Sequence, residues 1–157
     1  MGSGKSTMGK ELAMALHKDF IDLDRVIEIG EKTTIADIFE LKGEEYFRKI
    51  ERIYLLQIAR NDNSIIALGG GTPCYFDNMD IINANGLSVY LKVPAFILQQ
   101  RLQDEKSLRP LINGMDEFEL YEFIQQQIGE RERYYLKAHR IINTINISKL
   151  VEIATKN

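Results

Sequence analysis

The first residues of the chain, GSGKST at positions 2–7, have the types and order that end a phosphate-binding loop. Glycines let backbone N–H groups turn towards phosphate oxygens, and a helix that follows directly points its positive end at the same place. In this pattern Lys5 reaches the β- and γ-phosphates of a nucleotide, and the Ser6 hydroxyl ligates Mg²⁺. The first glycine of the full pattern would lie before Met1. Because a helical periodicity follows at once, we favour a phosphate loop over a flexible terminus with a chance lysine.

Two acids, Asp22 and Asp24, close the segment DFIDLD at residues 19–24, which we predict to be a short strand. Side chains two apart on a strand point to the same face, so both carboxylates are expected to enter one cleft. One acid could then lie near Mg²⁺, directly or through water, and the other could lie near a substrate hydroxyl. A solvated strand end, with Asp24 capping a helix that begins at Arg25, is equally consistent with the sequence.

Three glycines, at positions 69–71, follow the buried apolar run SIIAL, and three arginines lie elsewhere at Arg48, Arg109 and Arg131. A glycine run after a strand indicates that something approaches the backbone closely, either a ligand or the next helix through a tight turn. Each arginine alone is typical of a surface ion pair. Their role therefore depends on where the fold places them.

Helix-like and strand-like segments alternate along the whole chain. Helices are predicted over residues 5–17, 33–41, 44–60, 77–84, 94–102, 116–138 and 148–155, and strands over 19–24, 64–68, 86–93 and 140–145. This alternation indicates an α/β fold, a three-layer αβα arrangement around a central parallel sheet. Ligands in such folds bind at the carboxyl ends of the strands. Both Asp22 and the glycine run are placed there.

Composition narrows the class of protein. A length of 157 residues predicts a single domain, residues 1–157. The net charge of −3 argues against a general nucleic-acid binder. Cys74 is the single cysteine, which fits a reducing cytoplasm. The sequence has no apolar run long enough for a membrane span and no visible signal peptide.

Taken together, six segments resemble shikimate kinase, a family of the nucleoside-monophosphate-kinase-like group of P-loop NTPases. Any one of them is weak, but their order over essentially the whole chain is specific. The segments are GSGKST, FIDLDRVIE, FRKIE, IALGGGT, RPLI and RERYYLKA.

The resemblance implies a role for each matching residue. Asp22 would support the Mg²⁺ shell together with Ser6, and Asp24 would bind the acceptor hydroxyl and take its proton. Arg48 and Arg131 would bind the shikimate carboxylate, and the Gly70 backbone would contact the ring hydroxyls. Arg109 would close over the γ-phosphate with a lid. The ATP phosphates would be cradled by Gly2, Ser3, Gly4, Lys5, Ser6 and Thr7.

The resemblance also implies an activity: ATP-dependent phosphorylation of the shikimate 3-hydroxyl, on the route to chorismate and the aromatic amino acids. The helical segment at about 25–60 would bind shikimate, and the polar loop at about 103–115 would be the lid. Family precedent implies a monomer, and the composition described above predicts a cytoplasmic protein without nucleic-acid or membrane partners. A gluconate-type kinase and a non-catalytic nucleotide-binding relative are the alternatives.

The chain as given departs from the family at its beginning. Shikimate kinases carry a strand of about six residues before the position of Met1. Its loss is expected to leave buried backbone groups unpaired, at about 1–3 kcal/mol each. We favour a start assigned at an internal methionine over a trimmed chain or a genuine non-catalytic fragment.

Overall fold

The computed structural model describes residues 2–103, 112–143 and 146–156. Within these ranges, seven α-helices and four β-strands alternate along the chain. The helices are α1 (Lys5–Leu16), α2 (Leu23–Glu31), α3 (Ile35–Ile58), α4 (Asn78–Asn85), α5 (Ala95–Gln103), α6 (Glu117–Tyr135) and α7 (Ile147–Thr155). The strands are β1 (Asp19–Asp22), β2 (Ser64–Ala67), β3 (Val89–Leu91) and β4 (Arg140–Ile142). No helix in the described part of the chain is long and apolar enough to cross a membrane.

The strands pair in parallel, as predicted, and they do so two by two. Strand β1 pairs with β2, with Asp22 opposite Ala67, and β3 pairs with β4, with Val89 opposite Arg140. Among the described residues these pairs are two separate two-stranded sheets. Because β1 and β2 are parallel, their carboxyl ends lie side by side. The residues that follow Asp22 are thereby brought next to the glycine run that follows β2.

Side-chain caps fix where the helices begin. Asp22 caps α2, since its Oδ1 accepts a hydrogen bond from the Asp24 backbone N–H at 3.2 Å. Thr34 and Asp37 form a capping box at the start of α3. Such caps satisfy backbone N–H groups that have no partner inside the helix. The cap at Asp22 ends β1 and starts α2 without a loop between them.

Helix α3 carries a break at Gly43, where φ is 78° and ψ is 171°. Glycine adopts a positive φ at little cost, so the chain can break the helix here and resume it. The sequence predicts two helices at this place, 33–41 and 44–60, and the break matches their junction. The second part of α3 begins at Glu44 and carries Arg48 and Glu51 on successive turns.

A buried apolar cluster holds α3 against α2 and the β1–β2 pair. Its members include Leu23 and Ile27 from α2 and Phe47 and Leu55 from α3, all nearly inaccessible to solvent. Burying a side chain of this size contributes about 1.5–3 kcal/mol. The cluster therefore fixes the second part of α3 beside the carboxyl ends of β1 and β2.

Candidate active site

The phosphate-loop residues precede α1 and turn sharply. Gly2 and Gly4 have φ values of 68° and 82°, a region that residues with a side chain rarely adopt. Gly4 is the N-cap of α1, so the first turn of the helix presents its free N–H groups at the loop. Arg101 of α5, whose role the sequence does not settle, is exposed, and its Nη1 donates to the Gly2 carbonyl at 3.1 Å. The loop thus has the backbone shape and the positive helix end that an anion requires.

Ser6 and Asp22 meet beside this loop. The Ser6 hydroxyl donates to Asp22 Oδ2 at 2.9 Å, while Asp22 Oδ1 accepts the cap hydrogen bond of α2. The described residues contain no group of three or more His, Cys, Asp or Glu side chains that could hold a metal. Mg²⁺, however, usually binds through one or two protein oxygens together with water and substrate phosphates. A hydroxyl and a carboxylate oxygen at hydrogen-bond distance fit that requirement.

Asp24 lies in the first turn of α2, so the prediction of a strand with alternating side chains was wrong here. The strand ends at Asp22 because that residue caps the helix, and α2 begins at Leu23, not at Arg25. Asp24 nevertheless faces the phosphate loop. Its Oδ2 lies 4.0 Å from Lys5 Nζ.

The environment of Asp24 weakens its acidity. Burial raises the pKa of this carboxyl above its usual value near 3.8, and Lys5 opposes the rise by stabilising the ionised form. The neighbouring carboxylates of Asp22 and Glu51 raise the pKa further. A carboxylate with a raised pKa is a better proton acceptor than an ordinary one.

The glycine run packs closely against this acid and against Arg48. A Cβ on Gly69 would lie 3.0 Å from Asp24 Oδ1. A Cβ on Gly71 would lie 2.7 Å from both terminal nitrogens of Arg48, closer than real Cβ atoms come to other atoms. The run turns directly into a short 3₁₀ helix, Thr72–Cys74. The predicted close approach is therefore made by the protein's own side chains.

The buried carboxylate of Glu51 holds Arg48 in place. Glu51 has 1% of its side chain exposed, and its Oε2 accepts from Arg48 Nη1 at 2.8 Å. Its other oxygen accepts from the Thr72 hydroxyl at 2.6 Å. Burial of the Arg48 guanidinium opposes its charge, but Glu51 and Glu44 outweigh this and raise its pKa. Arg48 is thus a fixed cation joined to the glycine turn.

Removing the Thr72 hydroxyl should destabilise the fold, because Glu51 would lose a donor in a site without solvent. We expect Thr72→Val to lower the free energy of unfolding by about 1–3 kcal/mol, measured by urea denaturation. The matched control is Thr155→Val, whose exposed hydroxyl donates only to backbone carbonyls at the end of α7. Equal stability of the two variants would show that the Glu51–Thr72 contact contributes nothing.

Arg131, on α6, also approaches the glycine turn. A Cβ on Gly70 would lie 3.5 Å from Arg131 Nη1. One turn further along α6, the Tyr135 hydroxyl donates to the Gly70 carbonyl at 2.5 Å. Burial raises the pKa of Tyr135, so its hydroxyl stays protonated as a donor. Both arginines therefore lie next to the turn from Gly69 to Gly71.

The fold brings most of the predicted site residues together. Lys5, Ser6, Asp22 and Asp24 lie together beside the phosphate loop, and the terminal nitrogens of Arg131 and Arg48 lie next to Gly70 and Gly71 of the glycine turn. Thr7 is exposed and Ser3 is partly exposed. Arg109 and residues 104–111 of the predicted lid lie outside the described residues.

Four side chains of the site have no assigned role from the sequence alone: Glu44, Thr72, Tyr75 and Tyr135. Glu51, Thr72 and Tyr135 belong to the segments FRKIE, IALGGGT and RERYYLKA that carry the family resemblance, but the resemblance gave them no role. A usable signal did exist, since Glu44 and Glu51 stand at i−4 and i+3 of Arg48, spacings that place carboxylates next to a helical arginine. The contacts that Thr72, Tyr75 and Tyr135 make depend on long-range packing.

Comparisons with known proteins agree on one family. The family model described as shikimate kinase matches residues 1–157. A shikimate kinase of Parabacteroides distasonis is 45% identical over 138 residues, which is 88% of this chain and 80% of that protein.

Solved structures agree with this match. The crystal structure of shikimate kinase from Bacteroides thetaiotaomicron has a TM-score of 0.92 at 37% identity, covering 99% of this chain and 92% of that one. Shikimate kinase from Acinetobacter baumannii, in complex with shikimate, has a TM-score of 0.88 at 30% identity, covering 100% of this chain and 89% of that one. These similarities confirm the predicted αβα fold of the P-loop kinases.

Proposed function

Since the chain belongs to the shikimate kinase family, we propose that it transfers the γ-phosphoryl group of ATP to the 3-hydroxyl of shikimate, giving ADP and shikimate 3-phosphate. One observation carries this proposal. The Lys5–Asp24 pair, at 4.0 Å, joins a phosphate loop to the glycine turn that both Arg48 and Arg131 approach. A cation for the transferred group, a base for the acceptor and two guanidinium groups for a carboxylate thus meet in one place.

The donor side of the site is the loop from Gly2 to Thr7. Its backbone N–H groups would bind the β- and γ-phosphates, and Lys5 would neutralise charge on the transferred group. Ser6 and Asp22 would hold Mg²⁺, directly or through water. That ion, when bound, would neutralise the phosphate oxygens and orient them.

The acceptor side centres on Asp24. Its carboxylate, with a raised pKa, would accept the proton of the shikimate 3-hydroxyl as the oxygen attacks the γ-phosphorus. Transfer breaks the bond between that phosphorus and the β,γ-bridging oxygen, and ADP leaves with the bonding electrons. Asp24 would also orient the hydroxyl, because phosphoryl transfer depends largely on positioning and charge.

The far side of the acceptor site would recognise the carboxylate of shikimate. A guanidinium binds two carboxylate oxygens at once, so Arg48 and Arg131 would fix the orientation of the ring. The Gly70 backbone would contact the ring hydroxyls. Shikimate would therefore bind with its carboxylate at Arg48 and Arg131 and its 3-hydroxyl at Asp24.

We further propose that residues 1–157 form one domain in which the helical segment at about 25–60 binds shikimate and the loop at about 103–115 is a lid. Arg109 would then close over the γ-phosphate and help to exclude water. The enzyme would act in the cytoplasm as a monomer on small molecules, without nucleic-acid or membrane partners. The net charge of −3 supports the absence of nucleic acid.

Substitution of Gly71 should affect recognition of the carboxylate. Because a Cβ would lie 2.7 Å from both terminal nitrogens of Arg48, Gly71→Ala must move a guanidinium that two carboxylates hold. We expect the KM for shikimate to rise about tenfold, equivalent to about 1.4 kcal/mol, with a smaller change in kcat. Gly129→Ala is the control, because Gly129 lies on α6 with nothing within 4 Å of its added Cβ. Unchanged kinetics for Gly71→Ala would contradict the placement of Arg48 in the substrate site.

The proposed function is tested by ADP release from Mg-ATP with shikimate, with gluconate or with no acceptor. Strong dependence on shikimate is expected, with release close to background in the other two. Preference for gluconate would favour a gluconate-type kinase. Equal release in all three would favour a nucleotide-binding relative without an acceptor site.

A further inference from the structure

Glu44 occupies a position on Arg48 that the proposed function does not explain. Its Oε1 accepts from Arg48 Nε at 3.1 Å and from Nη2 at 3.0 Å. These two nitrogens form one edge of the guanidinium, the edge on which a carboxylate is commonly bound. Glu51 contacts the remaining terminal nitrogen, Nη1.

The two carboxylates on Arg48 differ in exposure. Glu51 is buried, with 1% of its side chain exposed, and is also bound by Thr72, so it belongs to the fixed frame of the site. Glu44 has 53% of its side chain exposed and begins the helical segment that follows the break at Gly43. Glu44 can therefore leave Arg48 for solvent, whereas Glu51 cannot.

Two further groups show that Glu44 sits where an anion is favoured. The Tyr75 hydroxyl donates to the same Oε1 at 2.7 Å, and the Tyr75 ring lies 4.1 Å from Arg48 Cζ. Hydrogen bonds from Tyr75 and Arg48 lower the pKa of Glu44, and the charges of Arg48 and Arg131 lower it further. The ionised Glu44 carboxylate is therefore stabilised by both arginines that the proposed function assigns to the substrate.

We propose that Glu44 is an internal stand-in for the substrate carboxylate: it holds the open edge of Arg48 until the carboxylate of the acceptor displaces it. This inference rests on the proposed function, because it takes Arg48 as the carboxylate site. Glu44 thereby lowers the affinity for the acceptor. It also restricts binding through Arg48 to ligands that carry a negative charge of their own.

The test is calorimetric titration of shikimate into the whole chain and its variants. Glu44→Gln keeps the shape of the side chain but removes its charge, and we expect the Kd for shikimate to fall about threefold to tenfold. Tyr75→Phe leaves the charge but removes the hydroxyl that holds Glu44 on Arg48, and we expect a smaller fall. The control is Glu45→Gln, since Glu45 is exposed on the same helix and pairs with Lys49 instead.

A neutral ligand separates displacement from a general change in the site. The methyl ester of shikimate cannot compete as an anion, so its Kd should be the same for Glu44→Gln and the unmodified chain. An unchanged or raised Kd for shikimate in Glu44→Gln would overturn the inference and make Glu44 a support for Arg48.

The two proposals fail differently. If the unmodified chain binds shikimate and Arg48→Lys weakens that binding, the proposed carboxylate site stands whatever Glu44→Gln does. If the unmodified chain does not bind shikimate, the proposed function fails and this inference fails with it. Melting temperatures of all variants show whether each is folded.

Discussion

Asp24→Asn is expected to lower kcat by about 10²–10⁴-fold, the range typical of a lost general base. The substitution keeps the size of the side chain but removes the proton acceptor that lies 4.0 Å from Lys5 Nζ. The KM for shikimate should change less, since Arg48 and Arg131 remain. Steady-state ADP release with saturating Mg-ATP measures both constants. The control is Asp62→Asn, an exposed residue in the turn before β2.

The same variant should remove the acidic limb of the pH profile. Because the pKa of Asp24 is raised above its usual value near 3.8, kcat/KM should fall as the pH drops through that raised pKa, where the carboxyl gains a proton. A kcat within threefold of the unmodified chain, with the acidic limb in place, would contradict the role of Asp24.

The free energy of unfolding should depend on pH in the direction opposite to kcat/KM. A folded-state pKa above the unfolded value means that the native chain holds the proton more tightly. This contribution to stability is therefore full at low pH and is lost as the pH rises through the raised pKa. At neutral pH the ionised Asp24 opposes folding, so Asp24→Asn should match or exceed the stability of the unmodified chain.

Lys5→Met is expected to lower kcat by about 10²–10³-fold, as when a preorganised donor to a developing charge is removed. Methionine keeps the unbranched shape, so the loss reports the ammonium group. Lys5 is partly exposed, so folding should change little. Lys10→Met, an exposed lysine on the same helix, is the control. A variant at Lys5 that retains more than a tenth of kcat would show that the GSGKST loop does not cradle the transferred phosphate.

Local patterns predicted most elements of the fold, although the predicted helices did not include α2 (Leu23–Glu31). The apolar run at residues 64–67 is β2, and the two helices predicted around Gly43 are the two parts of α3. Membership of the shikimate kinase family, predicted from six short segments, is confirmed by the match of the family model over residues 1–157. These features depend on neighbours in sequence, which is why sequence reasoning could find them.

The acids showed the limit of such reasoning. A two-residue alternation predicted that Asp22 and Asp24 share a strand face, but the Asp22 side chain caps α2 and ends the strand. Competition between a strand and a cap depends on a few hydrogen bonds. Both acids still face the phosphate loop, for a reason other than the predicted one.

Contacts between distant segments could not be predicted from the residues alone. Arg131 and Tyr135 reach Gly70 across more than sixty residues of chain, and Tyr75 reaches Glu44 from the segment after the glycine turn. Only packing brings these groups together. The structure therefore adds most to the description of the residues around Arg48 and Arg131, which are proposed to bind the substrate carboxylate.

The most direct test of the proposed reaction is the position of the phosphate in the product. The chain would be incubated with Mg-ATP and shikimate, and phosphorus and proton NMR would identify the carbon that carries the phosphate. A single product with phosphorus coupled to the proton on carbon 3 is predicted, because the arginines and Asp24 fix one orientation of the ring. Phosphate on another hydroxyl, or inorganic phosphate alone, would contradict the proposed reaction.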